Sequence, residues 1–229
     1  MEVTKRQHNE SAREYAYREI CRNIVSLNFL PGSEISVQKI AEILGISRTP
    51  VREAFLELQE QRILEIKPQS GSYIAYVDFN LVSNSRYVRL ALERAVLEEV
   101  CVLATTADIG LLEASIELQS FYCSKDMFKE FLQEDVCFHG LFYQIANRKD
   151  IQPASRYLSI HYNRLRTIWM NTCGYDNPQR LLNDHQAIVD AIQERNPEKA
   201  QQALCNHLCD YSAEDQQKIR LIHPEYFRA

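Results

Sequence analysis

The stretch from Leu44 to Phe55 constrains the fold most, because two apolar helical stripes meet there at a glycine. The first stripe follows the spacing of one helical face, with Val37, Ile40, Ala41 and Leu44. The second stripe comes after the glycine, with Val51, Ala54, Phe55 and Leu58. Gly45 supplies a left-handed residue that ends a helix, Ser47 is a good N-cap, and Pro50 is tolerated in a first turn. The pattern predicts two short helices joined by a tight turn, a helix-turn-helix.

Two arginines mark the exposed edge of the second predicted helix. Arg48 and Arg52 lie about 40° apart around the helix axis and outside the apolar stripe, with Thr49 further round. Arginine can donate two hydrogen bonds to guanine O6 and N7 in the major groove, and small hydroxyls can bind phosphate or a base edge. Surface arginines are most often simply solvated. Their place on a helix that follows a tight turn favours DNA binding instead.

The eight residues SRTPVREA at 47–54 resemble the recognition-helix signature of the GntR superfamily of bacterial transcription regulators. The likeness extends from about Tyr15 to Val77 and includes Leu30-Pro31-Gly32. It implies a winged helix-turn-helix that binds double-stranded operator DNA, with the wing glycine near the minor groove. The implied DNA-binding residues are Ser47, Arg48, Thr49, Arg52, Gln38 and Gly71. Gln38 stands where fatty-acid-responsive members have an arginine that touches DNA, so the resemblance leaves the operator sequence open.

Hydrophobic periodicity divides the chain near Tyr76. Before that point, a Ser11/Glu14 capping box opens a first helix, and a hairpin around Gly71 forms the wing. Residues 1–10 are polar and are expected to fray. After it, six or seven helical stripes follow one another, and Asn177-Pro178 and Asn196-Pro197 each indicate a helix start. We therefore expect a mostly α protein: a winged helix-turn-helix at 1–76 and an all-α helical bundle at 77–229.

Charge is distributed unevenly between these two parts. The whole chain has a net charge of −5, which by itself argues against a nucleic-acid-binding protein. Residues 1–76 carry ten basic and ten acidic side chains, so the acidic excess belongs to residues 77–229. A neutral DNA-binding domain predicts modest non-specific affinity and a need for dimerisation to bind an operator tightly. We expect a homodimer.

Composition limits the remaining classes. The 45% of apolar residues suffice for a proper core, and the 25% of charged residues exclude a fibrous or disordered chain. No apolar run reaches the roughly 20 residues of a membrane span, and the N-terminus lacks the apolar core of a signal peptide. Seven cysteines without a CxxC pair argue against a disulfide framework. We expect a cytoplasmic protein with reduced thiols and no membrane partner.

Four polar residues in the second part lie on apolar helical faces. Asp135 and His139 are one turn apart among phenylalanines, and His185 and His207 interrupt two further apolar stripes. A single such histidine is more often a satisfied core residue than a ligand. An aspartate among them is costly to bury unpaired, and one divalent cation would satisfy all four residues. We favour a metal site. An alternative set, Cys205, His207 and Cys209, cannot converge on one ion from a regular helix.

The spacing of these four residues resembles the metal-binding all-helical effector domain, the FCD domain, of the FadR-type branch of the same superfamily. The resemblance implies a metal in the bundle and a small organic acid, such as a sugar acid or dicarboxylate, bound over it. Zinc suits imidazole ligands, while nickel or manganese fit an octahedral site. Arg89 matches an arginine that can hold a carboxylate, although a surface pair with Glu93 is nearly as good an interpretation. Further predicted effector contacts are Arg164, Arg166 and Asn163.

The sequence therefore predicts a transcription regulator, with repression as the more favoured sign, whose effector domain senses a small carboxylate at a metal. Three alternatives stay open: a metalloregulator that responds to the metal itself, a metalloenzyme fused to a DNA-binding domain, and a purely structural metal. No HExxH motif or other nearby general base is present, so we predict no catalytic residues and no enzyme activity.

Overall fold

The structure is a computed structural model that describes residues 1–173, 178–208 and 211–228. Its first part contains helices α1 (Ala12–Val25), α2 (Val37–Leu44) and α3 (Arg48–Glu60) and strands β1 (Glu34–Ile35), β2 (Leu64–Lys67) and β3 (Gly71–Ile74). Its second part contains α4 (Phe79–Leu103), α5 (Thr106–Ser124), α6 (Phe128–Ile145), α7 (Gln152–Leu158), α8 (Ile160–Cys173), α9 (Pro178–Gln193), α10 (Pro197–His207) and α11 (Ala213–Ile222), followed by a short 3-10 helix (Pro224–Tyr226). The predicted class, a winged helix-turn-helix followed by an all-α domain, is confirmed.

Two compact units are present. The winged unit consists of Met1–Phe79, Asn163–Ile168 and Ala213–Ala229, and the helical unit consists of Asn80–Tyr162 and Trp169–Ser212. The sequence pattern does not indicate the two later segments of the winged unit. In that unit, Val77 N–H donates to the Tyr226 carbonyl at 2.9 Å, and the Phe79 and Phe227 rings stack with centroids 5.2 Å apart. The C-terminal segment thus contacts the residues that follow the wing.

The helix-turn-helix forms where its apolar stripes predict it. Gly45 ends α2 in the left-handed region with φ of 66°, and Val51 and Phe55 of α3 are buried. Ser47 occupies the N-cap position of α3 with extended backbone angles, but its side chain makes no capping hydrogen bond. Ser47 therefore lies at the predicted N-cap position but does not form a capping hydrogen bond. The residue is exposed to solvent.

The wing is a hairpin in a three-stranded antiparallel sheet of order β1-β3-β2. Leu64 pairs with Ile74 and Lys67 with Gly71, so the connecting turn comprises residues 68–70. Gln69 takes the left-handed residue of the turn with φ of 60°, whereas Gly71 opens β3 with φ of 128°, a value that L side chains rarely adopt. The glycine therefore fixes the base of the wing tip, where the turn meets the strand.

Residues 1–10 differ from the expectation that they fray. Thr4 N–H donates to the Glu19 carboxylate at 3.0 Å, and the Tyr15 hydroxyl donates to the Thr4 carbonyl at 2.9 Å. Glu2 N–H donates to the Asn23 side chain at 2.7 Å. Glu19 and Asn23 are buried on α1 and supply polar partners for the backbone of the N-terminal segment, which explains why a polar sequence is held here.

The second part contains more helices than the six or seven expected, since its described residues form eight α-helices, α4 to α11. Two of these helices, α7 and α11, have no counterpart among the predicted stripes. The Asn196 side chain caps α10 with Pro197 in its first turn, as predicted. Asn177, the other predicted cap, lies outside the described residues. Within the described ranges, no helix has the combined length and apolar character that a membrane crossing requires.

Candidate DNA-binding helix and metal centre

The outer face of α3 carries the predicted DNA-binding side chains. Ser47, Arg48, Thr49 and Arg52 are all exposed, while the opposite face of the helix is buried. Among the residues that the structure describes, no ion pair engages Arg48 or Arg52. These two exposed guanidinium groups can therefore contact phosphates or base edges without breaking an ion pair that holds α3.

The other two predicted DNA contacts lie outside α3. The exposed Gln38 of α2 donates from Nε2 to the Glu42 carboxylate at 3.0 Å. The neutral amide at this position therefore lies next to a carboxylate. Gly71 lies at the start of β3, next to a wing pair in which Lys67 Nζ is 4.9 Å from the Tyr73 ring centroid. Sequence reasoning did not single out Glu42 or Lys67, although the alternation of β2 could have placed Lys67 at the wing tip.

Four buried side chains of the helical unit bring potential ligand atoms together. Asp135 and His139 come from α6, one turn apart, while His185 comes from α9 and His207 from α10. One ligand atom of each residue lies within 4.8 Å of the others, and none of the four residues is more than 3% exposed. The structure therefore brings the four residues predicted as metal ligands to one point.

The distances in this cluster suit a first-row divalent cation. His207 Nε2 lies 3.1 Å from His139 Nε2 and 3.2 Å from His185 Nε2. Asp135 Oδ1 lies 3.5 Å from His185 Nε2 and 4.0 Å from His207 Nε2. Metal–nitrogen and metal–oxygen bonds of about 2.1 Å place neighbouring ligand atoms about 3.0 to 3.4 Å apart for right-angle to tetrahedral geometry. Three imidazole nitrogens and a carboxylate oxygen are also a donor set typical of zinc and related metals.

Aromatic side chains enclose the cluster. The Phe138 ring stacks on His185 with centroids 4.3 Å apart, and Phe142 meets the His139 ring edge-on at 5.4 Å. Both phenylalanines are fully buried. These rings fill the space beside the imidazoles and limit their rotation, so the ligand atoms are held in a largely dry environment.

Side chains outside the predicted ligand set contact the outer nitrogens of the histidines. Glu93 Oε2 lies 2.7 Å from His139 Nδ1, and Gln119 Oε1 lies 2.8 Å from His185 Nδ1. Burial alone would raise the pKa of Glu93, but Arg89 and His139 lower it to about 2. Glu93 therefore stays ionised at neutral pH. Sequence reasoning treated Glu93 only as a partner of Arg89 and did not identify Gln119.

The predicted effector residues fall in different units. Arg89 belongs to the helical unit, is 4% exposed, and donates from Nε to Glu93 Oε1 at 2.7 Å. The alternative interpretation of the sequence predicted that Arg89 pairs with Glu93 at the surface. The structure has the pair, but the pair is buried. Arg164, Arg166 and Asn163 belong to the winged unit.

Arg164 has specific backbone partners within that unit. Its guanidinium donates to the Ala75 carbonyl at 2.8 Å and to the Tyr76 carbonyl at 3.0 Å. Burial lowers the pKa of Arg164 to about 10, so the group remains charged at neutral pH. These contacts make Arg164 a residue that holds the end of the wing. Arg166 is buried, and Asn163 Oδ1 has no hydrogen-bond donor among the described residues. Cys209, from the alternative Cys-His-Cys set, lies outside the described residues.

Comparisons with known proteins decide the family. Residues 12–74 match the family described as bacterial regulatory proteins, gntR family, and residues 86–210 match the FCD domain. This chain belongs to the GntR family. The FCD match covers more than half of its residues and places it among GntR regulators of the FadR-type branch, as the sequence resemblance implied. The protein is therefore a DNA-binding transcription regulator.

Individual relatives match this chain along nearly their whole length. The HTH-type transcriptional repressor RspR of Escherichia coli K12 is 29% identical over 224 residues, covering 98% of this chain and 97% of the relative. The uncharacterized HTH-type transcriptional regulator YdfH of Escherichia coli O6:H1 is 30% identical, with coverage of 92% and 91%. The solved structure of E. coli McbR/YncC matches with a TM-score of 0.72 at 18% identity, covering 94% of this chain and 99% of that chain. At this low identity, the likeness to the solved structure shows a shared fold only.

Proposed function

We propose that this GntR regulator is a homodimeric repressor in which residues 1–76 bind operator DNA and residues 77–229 sense a small carboxylate or sugar acid at a divalent metal. The observation that carries the sensing part is the cluster of Asp135, His139, His185 and His207, whose ligand atoms lie within 4.8 Å of one another in a buried site. A regulator that acts on operator DNA works in the cytoplasm.

In the proposed DNA complex, α3 enters the major groove. Arg48 and Arg52 donate to guanine edges or phosphates, and the Ser47 and Thr49 hydroxyls bind the backbone or a base edge. Gln38 adds a contact from α2, and the φ of 128° at Gly71 shapes the wing for the minor groove. The exposure of α3 and the neutral charge of residues 1–76 support a complex in which two copies bind two half-sites.

In the proposed metal site, three histidines bind through Nε2 and Asp135 binds through a carboxylate oxygen. Zinc is the first choice for this donor set, and nickel or manganese are the alternatives. When bound, the metal supplies positive charge and open coordination positions for the carboxylate of an effector. The protein's own contribution is to hold the imidazoles, exclude water with Phe138 and Phe142, and keep the site buried.

Arg89 is the effector contact that the structure supports best, because it is buried in the same helical unit and shares Glu93 with His139. A guanidinium carries five N–H donors, so Arg89 can donate to an effector carboxylate as well as to Glu93. Arg166 and Asn163 stay predictions, and the backbone contacts of Arg164 give it a different role.

We expect the ligand to relieve repression, and a two-state scheme describes how it would act. An effector that binds the two arrangements of the dimer with different affinity shifts their populations, and so changes the spacing of the two recognition helices. Its effect on operator binding cannot exceed that difference in affinity.

The test is operator binding with purified protein, measured by fluorescence anisotropy during titration with a panel of sugar acids and dicarboxylates. The proposal expects at least one acid to weaken operator binding, and expects this response to disappear in the His139→Ala variant. Metal addition that changes DNA affinity without any acid would favour a metalloregulator. Turnover of an acid that depends on His139 would favour the metalloenzyme, and either result would contradict the proposal.

A further inference from the structure

Two histidines of the cluster are each held from behind by a buried side chain on another helix. Glu93 on α4 faces Nδ1 of His139 at 2.7 Å, and Gln119 on α5 faces Nδ1 of His185 at 2.8 Å. Glu93 is 2% exposed and Gln119 is fully buried. Each contact joins residues far apart in the sequence, by 46 and 66 positions.

These partners determine which ring nitrogen carries the proton. Glu93 Oε1 accepts from Arg89 Nε and Glu93 Oε2 lies 2.7 Å from His139 Nδ1, so Nδ1 is the ring nitrogen that donates in this contact. Gln119 directs its carbonyl oxygen to His185, while its Nε2 lies 3.5 Å from the Ser115 hydroxyl, which selects the same tautomer for His185. Both Nε2 atoms then present lone pairs toward His207 Nε2. A single proton between these Nε2 atoms can form a hydrogen bond to one nitrogen lone pair at a time. A divalent cation can bind all of the Nε2 atoms at once.

The two partners are themselves anchored, in different ways. Glu93 holds its second oxygen 2.7 Å from Arg89 Nε, which compensates the buried carboxylate charge. Gln119 contacts Ser115, and the Ser115 hydroxyl donates to the partly buried Glu134 carboxylate. One histidine is thus supported by an ion pair, and the other by two neutral side chains that lead to the Glu134 carboxylate. In both cases, the side chain that faces Nδ1 of the histidine is held by another side chain of the protein, without a bound ion.

We propose that Glu93 and Gln119 are positioning residues that fix the Nδ1–H tautomer of His139 and His185 and thereby prepare the cluster to bind a divalent cation. The proposal rests on the proposed metal site and adds two residues to it. Partners of this kind in metal sites change metal affinity by about 10- to 100-fold when removed.

The experiment measures Zn²⁺ affinity of the purified full chain by competition with a chromophoric chelator. Gln119→Met removes the acceptor behind His185 without changing charge. The Arg89→Met/Glu93→Leu double variant removes the acceptor behind His139 and leaves no unpaired buried charge. We expect each to weaken Zn²⁺ binding by about 10- to 100-fold. Glu93→Gln keeps an acceptor oxygen and should lose less than the double variant.

Glu99→Gln is the matched control, because Glu99 lies on the same helix α4 but pairs with Arg148 at the surface. It should bind Zn²⁺ like the wild type. A second readout is nitrogen-15 NMR of the imidazoles in the Zn²⁺-free protein. The wild type should show His139 and His185 protonated at Nδ1, and each variant should shift the tautomer of only the histidine that it faces.

The outcomes separate this inference from the proposed function. Wild-type protein that binds no Zn²⁺ overturns both. Wild-type protein that binds Zn²⁺ with unchanged affinity and tautomers in the variants overturns the positioning role and leaves the metal site standing. If one variant fails to fold, the other still tests the claim, because the two partners lie on different helices. A lower melting temperature with unchanged affinity would show that the contacts only stabilise the fold.

Discussion

The winged unit and the helical unit use their polar residues in opposite ways. On α3, the buried stripe of Val51, Phe55 and Leu58 fixes the helix, while Arg48 and Arg52 face solvent on the other side. The fold and the proposed DNA binding of this unit therefore depend on different residues. In the helical unit, the candidate ligands are themselves in the core, where Asp135 and His185 are fully buried. A substitution there alters packing and binding together.

This difference between the two units determines how variants of each unit are interpreted. A surface substitution on α3 should change operator affinity at constant stability, because the removed group contacts nothing that holds the helix. A substitution in the buried cluster removes a packed group and a proposed metal ligand at once. Stability is thus a clean control for the first unit, while the second needs a comparison of each variant with and without metal.

The largest effect is expected from Phe55→Ala in the core of the winged unit. Phe55 is 1% exposed, and deleting its ring should lower the free energy of unfolding by about 3–5 kcal/mol through lost burial and a cavity. Chemical denaturation, with hydrogen exchange of the α3 amides, measures this loss. Leu56 is the control, since it is 51% exposed on the same helix and Leu56→Ala should cost less than about 0.5 kcal/mol. Equal losses would contradict the assignment of the buried face.

Metal addition should act on the helical unit with the next largest effect. A cation that binds only the folded state adds about 2.7 kcal/mol to the free energy of unfolding at a free concentration 100 times its Kd. Thermal unfolding of the metal-free wild type, with and without Zn²⁺, measures the increment. His185→Ala should lose the increment relative to its own metal-free form, whereas Arg52→Ala should retain it. The same increment in His185→Ala would remove that residue from the site.

Arg52→Ala should weaken operator binding by about 1–3 kcal/mol, because it removes a guanidinium from the exposed face of α3. Metal content and melting temperature should stay at their wild-type values. The comparison variant is Arg13→Ala, which loses the same charge in the same unit from a residue that pairs with Glu57. If both variants lose operator affinity equally at all DNA sequences, then Arg52 contributes only general charge.

The smallest effect distinguishes two serines at helix starts. Ser11 accepts a hydrogen bond from Glu14 N–H in a complete capping box, so Ser11→Ala should lower the free energy of unfolding by about 1 kcal/mol. Ser47 makes no such bond, so Ser47→Ala should leave stability unchanged and weaken operator binding. Chemical denaturation and anisotropy on both variants test the pair. A stability loss at Ser47 would mean that its hydroxyl caps α3 after all.

Local patterns could be predicted from the sequence wherever a single helix or turn determines them. The α3 stripe, Gly45 at the end of α2 and the Asn196 cap depend on residues a few positions apart, and the structure has all three. The presence of α7 and α11 was missed, because short and largely polar helices show too few apolar residues at helical spacing.

Long-range polar partners could not be predicted in the same way. Periodicity shows that His139 and His185 face inward, but it does not show which side chain from another helix meets them. Glu93 and Gln119 therefore emerged only from the packing of α4 and α5 against the other helices. The buried Glu19 and Asn23, which hold the N-terminal residues, were missed for the same reason.

The most direct test of the account is elemental analysis of the untagged protein, purified without added metal, beside the His139→Ala/His185→Ala double variant. We expect about one divalent ion per chain in the wild type, because the protein has one such buried cluster among its described residues, and none in the variant. A wild type without metal, or equal metal in both proteins, would contradict it and leave the four residues as a polar core beside a DNA-binding domain.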